Sequence, residues 1–362
     1  APLAAAPPDR PAGAPSPPLV SSEAANPSEP ENSSRTTDAP AEPIGPSART
    51  VRIGTALGLF SAVNYTLANA ALRDVSRPDD FEWSLWVTLC KAFPVAVAAW
   101  ALVGVRAWRG QPPLSSLRLW PKLMAVGVLA QLGGNLLFQE ALGVLGLALT
   151  VPATFTGIIL TGAGLGWLIL GEPVRWRQGV SILLLIAATI SLGMAAPDAA
   201  EAVISQALAG AEADPFAVMM AVTEALAAGC SYGLMGVVIR GNKAQGVGVA
   251  GTLAPLSLAG LLSLALFLLI RTGRLPLAET PSVAYLPLCL AGVANAVAFF
   301  SIAAALQRIP VVRSNLLNAS QAAMAGVVGV VWFAEPPTGW LLAGIALTIA
   351  GLGLLGLRRR AG

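Results

Sequence analysis

Residues 247–270 read VGVAGTLAPLSLAGLLSLALFLLI, an unbroken stretch without a charged side chain. A helix of about 20 apolar residues crosses the hydrocarbon core of a bilayer, which is about 30 Å thick. In lipid the backbone must satisfy its own hydrogen bonds, so a single long apolar stretch forms a helix. A strand of a membrane barrel would need only about ten residues of alternating character. The stretch therefore predicts a membrane-spanning helix.

Nine further apolar stretches accompany this one. The ten predicted helices are 53–72, 83–105, 121–142, 145–170, 176–195, 215–239, 247–270, 282–306, 310–333 and 339–357. Of the 362 residues, 55% are apolar and 11% are charged, whereas a soluble domain carries about 25% charged residues. We therefore predict an all-α membrane protein with ten transmembrane helices. The composition excludes a water-soluble enzyme or a nucleic-acid-binding protein.

The predicted helices divide the chain into five segments. Residues 1–48 hold 12 of the 28 prolines, together with Ala, Ser and Glu, a composition that cannot bury enough apolar surface to fold. The predicted segments are a disordered Pro/Ala/Ser-rich tail (1–52), a first five-helix repeat (53–195), an extracytoplasmic linker (196–214), a second five-helix repeat (215–357) and a basic cytoplasmic end (358–362).

Basic residues fall mainly on one side of the predicted bundle. With the N-terminus inside, the inner connections hold 14 Lys and Arg residues. The outer connections hold only four, Arg73, Arg77, Arg271 and Arg274. Short cytoplasmic loops of membrane proteins carry an excess of basic residues. We therefore predict an integral protein of the plasma (inner) membrane with both termini in the cytoplasm.

Two tyrosine–arginine pairs occupy equivalent places in the two halves. Tyr65 precedes Arg73 by eight residues at the end of predicted helix 1, and Tyr232 precedes Arg240 by eight at the end of helix 6. Each half has an odd number of helices, so equivalent helices cross the membrane in opposite directions. The pattern predicts two inverted five-helix repeats, which is the architecture of many secondary transporters.

A second pattern closes helix 4 and helix 9. Gly171-Glu172-Pro173 follows helix 4, with Gly179 in helix 5. Ala334-Glu335-Pro336 and Gly344 repeat the pattern, with alanine in place of the first glycine. Together with the ten-helix layout, these residues make 53–357 similar to the EamA family of the drug/metabolite transporter superfamily. The resemblance implies a carrier of small metabolites or exported compounds, with the fifth helix of each half at the periphery.

Ionisable residues lie inside several predicted helices. A charge at the bilayer centre costs about 2.5–3.5 kcal/mol on insertion scales, so it needs a partner or a cavity. Lys91, in helix 2, is interpreted as an anchor for a substrate carboxylate or as the partner of a coupling acid, and a structural ion pair is the alternative. Glu224, in helix 6, and Glu140, near the outer end of helix 3, are the candidates for carrying coupling protons.

Helices 4 and 9, which are equivalent in the predicted repeat, each carry polar side chains along one face. Two threonines of helix 4 lie four residues apart, and three amides of helix 9 recur every third residue, so each set shares a face. Hydroxyls often only pack helices together, whereas the three amides indicate a hydrogen-bonding wall for a substrate. The predicted substrate-binding residues are Lys91, Asn64, Asn295, Asn315, Asn318, Gln321, Thr150 and Thr154.

These features predict a secondary transporter that moves small metabolites by alternating access, with proton-coupled export as one form. The alternatives are a non-transporting membrane scaffold or sensor and, less favoured, a membrane enzyme. The chain contains no histidine and only three cysteines, which argues against His-dependent catalysis and metal sites. We expect no cofactor, no metal and no nucleic acid. The expected partners are a small-molecule substrate and the lipid bilayer, and a homodimer through the uniformly apolar helices 5 and 10 is left open.

Overall fold

The structure is a computed structural model that describes residues 47–356, apart from 79, 112–113, 196–197, 199–200, 202, 204–213 and 245. The described residues form helices, turns and bends, and none of them is in a β-strand. This confirms the all-α class. Most of the predicted tail, most of the predicted linker and the basic end at 358–362 lie outside the described residues.

All ten predicted helices are present in the described part of the chain. They are α1 (Ala48–Asp74), α2 (Phe81–Trp108), α3 (Leu117–Leu145), α4 (Leu147–Leu170), α5 (Trp176–Met194), α6 (Pro215–Ala244), α7 (Val249–Thr272), α8 (Ser282–Leu306), α9 (Val311–Asn318 continued by Ser320–Trp332) and α10 (Gly339–Gly356). Two of them are irregular. α3 contains a π-helical segment at Ala130–Leu136, and α9 is interrupted at Ala319.

Six of the helices in the described residues are long and apolar enough to cross a membrane, namely α2, α3, α4, α6, α7 and α8. The described apolar parts of α5 and α10 are shorter, at Trp176–Ser191 and Gly339–Gly351. α1 carries several charged and amide side chains, and the interruption at Ala319 divides α9. The six helices indicate an integral membrane protein, and the crossing of all ten stays a prediction.

α1 begins earlier than the apolar pattern predicted. Ser47 caps the helix, because its hydroxyl accepts the N–H of Thr50 at 3.2 Å. The predicted start at residue 53 followed the first apolar run and so excluded Arg49 and Arg52. A capped helix can continue through such charged residues, since their side chains reach water. Residues 48–52, which the prediction assigned to the disordered tail, are therefore helical.

The principal contacts between helices come in pairs that differ by five helices. α1 packs against α8 and α9, and α6 packs against α3 and α4. α3 packs against α7, and five helices later α8 packs against α2. In the same way α4 packs against α5, and α9 packs against α10. α2 packs directly on α7. At the crossing of α4 and α6, a side chain on Gly229 would collide with the carbonyl oxygen of Thr154.

Helices α5 and α10 pack against each other within the chain. The Ser191 hydroxyl donates to the carbonyl oxygen of Trp340 at 2.8 Å. On other faces the two helices expose large apolar side chains such as Leu183, Ile190 and Ile349. Exposed apolar side chains suit contact with lipid or with another subunit. The homodimer through these helices stays a prediction.

Two equivalent loop positions have a left-handed backbone. Gly171 follows α4 with φ 64°, and Ala334 follows α9 with φ 52°. A left-handed backbone costs residues with a Cβ about 1–2 kcal/mol, and glycine avoids this cost. The two loops therefore keep the same conformation although their sequences differ, and the second loop keeps it at a steric cost.

Replacing Ala334 by glycine is expected to raise the free energy of unfolding by about 1 kcal/mol, because it removes this steric cost. The matched change Gly171→Ala is expected to lower it by a similar amount. Melting temperatures of the purified protein in detergent measure both effects. A lower melting temperature for Ala334→Gly would contradict the prediction.

Candidate functional site

A cavity of about 970 Å³ lies among the helices. Residues of α1 to α4 and of α6 to α9 line it, so both halves of the chain contribute. Six of the predicted substrate-binding residues lie in its wall: Lys91, Thr154, Asn295, Asn315, Asn318 and Gln321.

Two predicted binding residues are not in the cavity wall. Asn64 donates its side-chain N–H to the carbonyl oxygen of Phe60, one turn earlier in α1, at 2.9 Å. Thr150 is fully buried, and its hydroxyl donates to the carbonyl oxygen of Ala141 in α3 at 3.1 Å. The structure places both side chains on backbone acceptors, and their role in substrate binding stays a prediction.

Further polar residues line the cavity that the predicted binding set lacked. They are Tyr65, Asn69, Gln131, Asn135, Tyr232 and Ser257. The sequence carried a signal for several of them. Gln131 and Asn135 lie one helical turn apart, and two of them are the tyrosines that mark the predicted repeat. Helical spacing alone did not show which polar helix faces line the same cavity.

Three of these residues form a hydrogen-bonded chain on the π-helical segment of α3. The Tyr232 hydroxyl donates to Asn135 Oδ1 at 2.6 Å, and Asn135 Nδ2 donates to Gln131 Oε1 at 2.6 Å. The segment contains Gly134, where a Cβ would lie 2.8 Å from the Tyr232 ring. π-Helical turns are frequent at functional sites. The chain fixes both amides, and both residues lie in the cavity wall.

Lys91 is only 5% exposed and lies in the cavity wall. Its Nζ is 5.2 Å from the centre of the Phe138 ring, within the range of a cation–π attraction. Among the described residues, no carboxylate oxygen lies within 4.0 Å of Nζ. Glu224 is therefore not in an ion pair with Lys91 in this structure.

The two predicted coupling residues lie together and outside the cavity lining. Glu224, on α6, and Glu140, on α3, are both half-buried. They are close enough to interact electrostatically, and the helices that carry them pack against each other. The two carboxyl groups interact electrostatically, and their role in proton coupling stays a prediction.

A partly buried glutamate, Glu172, joins the end of α4 to the start of α9. Glu172 Oε1 accepts from Arg240 Nε at 2.8 Å, and its Oε2 accepts the backbone N–H of Val311 at 2.9 Å. Arg240 also donates to the carbonyl oxygen of Leu306 at 3.2 Å. We refer to Glu172, Arg240 and Val311 as the Glu172 cluster. It ties the first half of the chain to the second.

A second glutamate, which is buried, joins the end of α9 to the start of α4. Glu335 accepts the backbone N–H groups of Leu147 at 2.7 Å and Ala148 at 2.8 Å, and Arg73 Nε lies 3.7 Å from its Oε1. We refer to these four residues as the Glu335 cluster. Burial raises the pKa of the Glu335 carboxyl, and the backbone donors and Arg73 oppose that rise.

The two clusters have the same composition. The Glu172 cluster contains the glutamate after α4, a backbone N–H group at the start of α9, and an arginine near the end of α6. The Glu335 cluster contains the glutamate after α9, backbone N–H groups at the start of α4, and an arginine near the end of α1. A carboxylate satisfies the free N–H groups of a helix start and complements its dipole. α4 has 24 residues, so the clusters at its two ends lie about 36 Å apart at 1.5 Å per residue.

Replacing Glu335 by alanine is expected to destabilise the protein by about 3–5 kcal/mol, because it leaves Arg73 and two helix-start N–H groups without their partner. The control is Glu279→Ala, which removes a glutamate from an exposed ion pair with Arg274, an interaction worth about 0–1 kcal/mol. Denaturation of both variants in detergent gives the comparison. Equal effects would contradict a stabilising role for the Glu335 cluster.

The fold indicates an integral membrane protein with a cavity between its helices. Residues 219–357 match the model of the EamA-like transporter family. This match confirms the resemblance drawn from the sequence and indicates a membrane transporter in general. The family members are transporters rather than enzymes.

The fold has a counterpart among solved structures. A crystal structure of another protein superposes with a TM-score of 0.58 at 16% sequence identity, covering 85% of this chain and 99% of that chain. At this identity the likeness shows the fold alone. Comparison with curated proteins gave no match.

Proposed function

We propose that the protein is a secondary transporter that moves small metabolites across the plasma (inner) membrane by alternating access. The observation that carries the proposal is a polar cavity, lined by both halves of the chain, with the Glu172 cluster at one end of α4 and the Glu335 cluster at the other. The family match over residues 219–357 supports transport as the activity.

We infer that α1–α5 and α6–α10 are inverted repeats, with both termini in the cytoplasm. Three observations support the inference: the packing contacts that recur five helices later, the left-handed residues at 171 and 334, and the matching glutamate clusters. In transporters of this architecture, one half rocks against the other around a fixed midplane site. Inward and outward opening are then equivalent motions.

In this proposal each glutamate cluster holds one end of the cavity closed. Glu172 and Arg240 belong to different halves, and so do Glu335 and Arg73, so a movement of one half against the other must break a cluster. The predicted orientation places the Glu172 cluster at the cytoplasmic side and the Glu335 cluster at the outer side. Both clusters are intact in this structure.

The neighbouring carboxyl groups of Glu224 and Glu140 support proton coupling as the driving force. Two carboxylates that interact electrostatically repel each other, which favours one of them keeping its proton. They lie outside the cavity lining but on α6 and α3, which both contribute residues to the cavity wall. A proton bound there can therefore affect the packing of two cavity helices without occupying the binding site.

Alternating access is tested by labelling single cysteines with a membrane-impermeant maleimide, in a variant without Cys90, Cys230 and Cys289. The labelled positions are two cavity-lining residues, Ile302 near the end of α8 and Val151 near the start of α4. Adding Glu172→Gln is expected to raise the labelling rate of Ile302→Cys from the cytoplasmic side several-fold, because it weakens the Glu172 cluster. Adding Glu335→Gln is expected to raise the labelling rate of Val151→Cys from the outer side by a similar factor.

The control for this labelling is Glu279→Gln, which neutralises an exposed glutamate and is expected to change neither rate. If both cluster variants raised labelling from the same side, or if neither did, the assignment of the clusters to the two ends of the cavity would fail.

Transport itself is tested in two stages. A panel of metabolites is first screened for stabilisation of the purified protein, because a ligand that binds the folded state raises the melting temperature. Compounds that bind are then tested for uptake into proteoliposomes, with and without a proton gradient. Binding without any flux would favour a membrane scaffold or sensor over a transporter.

A further inference from the structure

We propose that the cavity binds an organic monoanion, a carboxylate with an apolar body, through an ion pair with Lys91. The proposal names the substrate class of the transporter proposed above and rests on that function. It is carried by the charge of the cavity wall, by its hydrogen-bond donors and by its aromatic surface.

The charge of the cavity wall is unbalanced. Lys91 is its one side chain that ordinarily carries a charge, and none of the lining residues in the described part of the chain is Asp or Glu. Lys91 is 95% buried and has no carboxylate partner within 4.0 Å among these residues. A buried cation without an anion is unfavourable in a membrane. A ligand carboxylate supplies the missing negative charge, and its attraction to the Lys91 ammonium group offsets the cost of burying that group.

The hydrogen-bond donors of the wall suit an anionic group. Gln131 already accepts from Asn135, so its own N–H groups are the part of the amide left for a ligand. Phe138 lies seven residues after Gln131 and packs beneath the Lys91 ammonium group, which places Lys91 and the amide chain along one side of α3. Hydrogen bonds to a charged acceptor are about twice as strong as neutral ones.

The rest of the wall is apolar. Phe138, Phe155 and Phe299 line the cavity together with aliphatic side chains from α4, α6 and α8. This surface favours a ligand with an apolar or aromatic body. An amine or a zwitterion would bring an ammonium group into a space without a lining carboxylate, and a dianion would exceed the single lysine. A monocarboxylate with an apolar body therefore fits best.

The test measures the stabilisation of the purified full-length protein by carboxylates of graded size, from acetate to phenylalkanoates. Each carboxylate is compared with its primary amide and with the corresponding amine. We expect carboxylates to bind and the amides and amines to bind at least about tenfold more weakly, as for the loss of one hydrogen-bonded charge. Stabilisation by no carboxylate, or equally by acid and amide, would overturn the proposal.

The variants separate an anchoring lysine from a structural one. Lys91→Gln is expected to weaken carboxylate binding by about 10- to 100-fold, and Lys91→Arg to retain part of it. The control is Lys122→Gln, at an exposed lysine, which is expected to bind as the unmodified protein does. Because Lys91 has no protein anion to lose, Lys91→Gln is also expected to melt no lower than the unmodified protein without ligand. A lower melting temperature with unchanged binding would overturn the proposal.

Proteoliposome uptake of the tightest-binding carboxylate distinguishes the two proposals. Carboxylate binding that depends on Lys91 but gives no flux would sustain the anion site and reject the transporter. Flux of amines or neutral compounds that is unaffected by Lys91→Gln would sustain the transporter and reject the anion site.

Discussion

The first N–H groups of α4 and α9 lie inside the bundle, where lipid offers them no hydrogen-bond acceptor. Glu335 accepts those of α4 and Glu172 accepts that of α9. A buried carboxylate is itself costly, so each needs a cation, and Arg73 and Arg240 provide it. Each of these helix starts therefore needs a carboxylate, and each carboxylate needs an arginine. These contacts fix how α1, α4, α6 and α9 pack together.

The cavity follows from the same scarcity of polar partners. Lipid does not hydrate amides, so the amide side chains of α3, α8 and α9 turn toward one another and toward the space between the helices. Where a protein acceptor is within reach, the side chain uses it, as Asn64 and Thr150 do. Where none is near, the polar group faces the cavity and remains available to a ligand, as Lys91 does.

Hydropathy predicted the positions of all ten helices, because the thickness of the bilayer sets their length directly. Depth along the helix identified Lys91 in the same way, since a charge far from both ends cannot reach water. Helical spacing was less reliable. It indicated that Asn315, Asn318 and Gln321 share one face, and all three lie in the cavity wall, but it could not tell that Thr150 would donate to the backbone of α3.

Contacts between distant parts of the chain could not be predicted. The sequence identified Glu172 and Glu335 as equivalent residues of the two halves. It identified Arg73 and Arg240 separately, from their common spacing to a tyrosine. That these residues meet in two clusters depends on how helices far apart in the chain pack, and hydropathy carries no information about this. For the same reason hydropathy could not show what Lys91 and Glu224 contact; among the described residues the two form no ion pair, and Glu224 interacts electrostatically with Glu140.

Each half of the chain supplies the hydrogen-bond and ion-pair partners for a helix start of the other half. This arrangement has a consequence for the biosynthesis of the chain. Residues 48–194 by themselves would lack the arginine for Glu172 and the glutamate for the start of α4, and residues 215–356 would lack the reciprocal groups. While only the first five helices have been synthesised, Glu172 and the start of α4 therefore lack these partners, which belong to the remaining five helices.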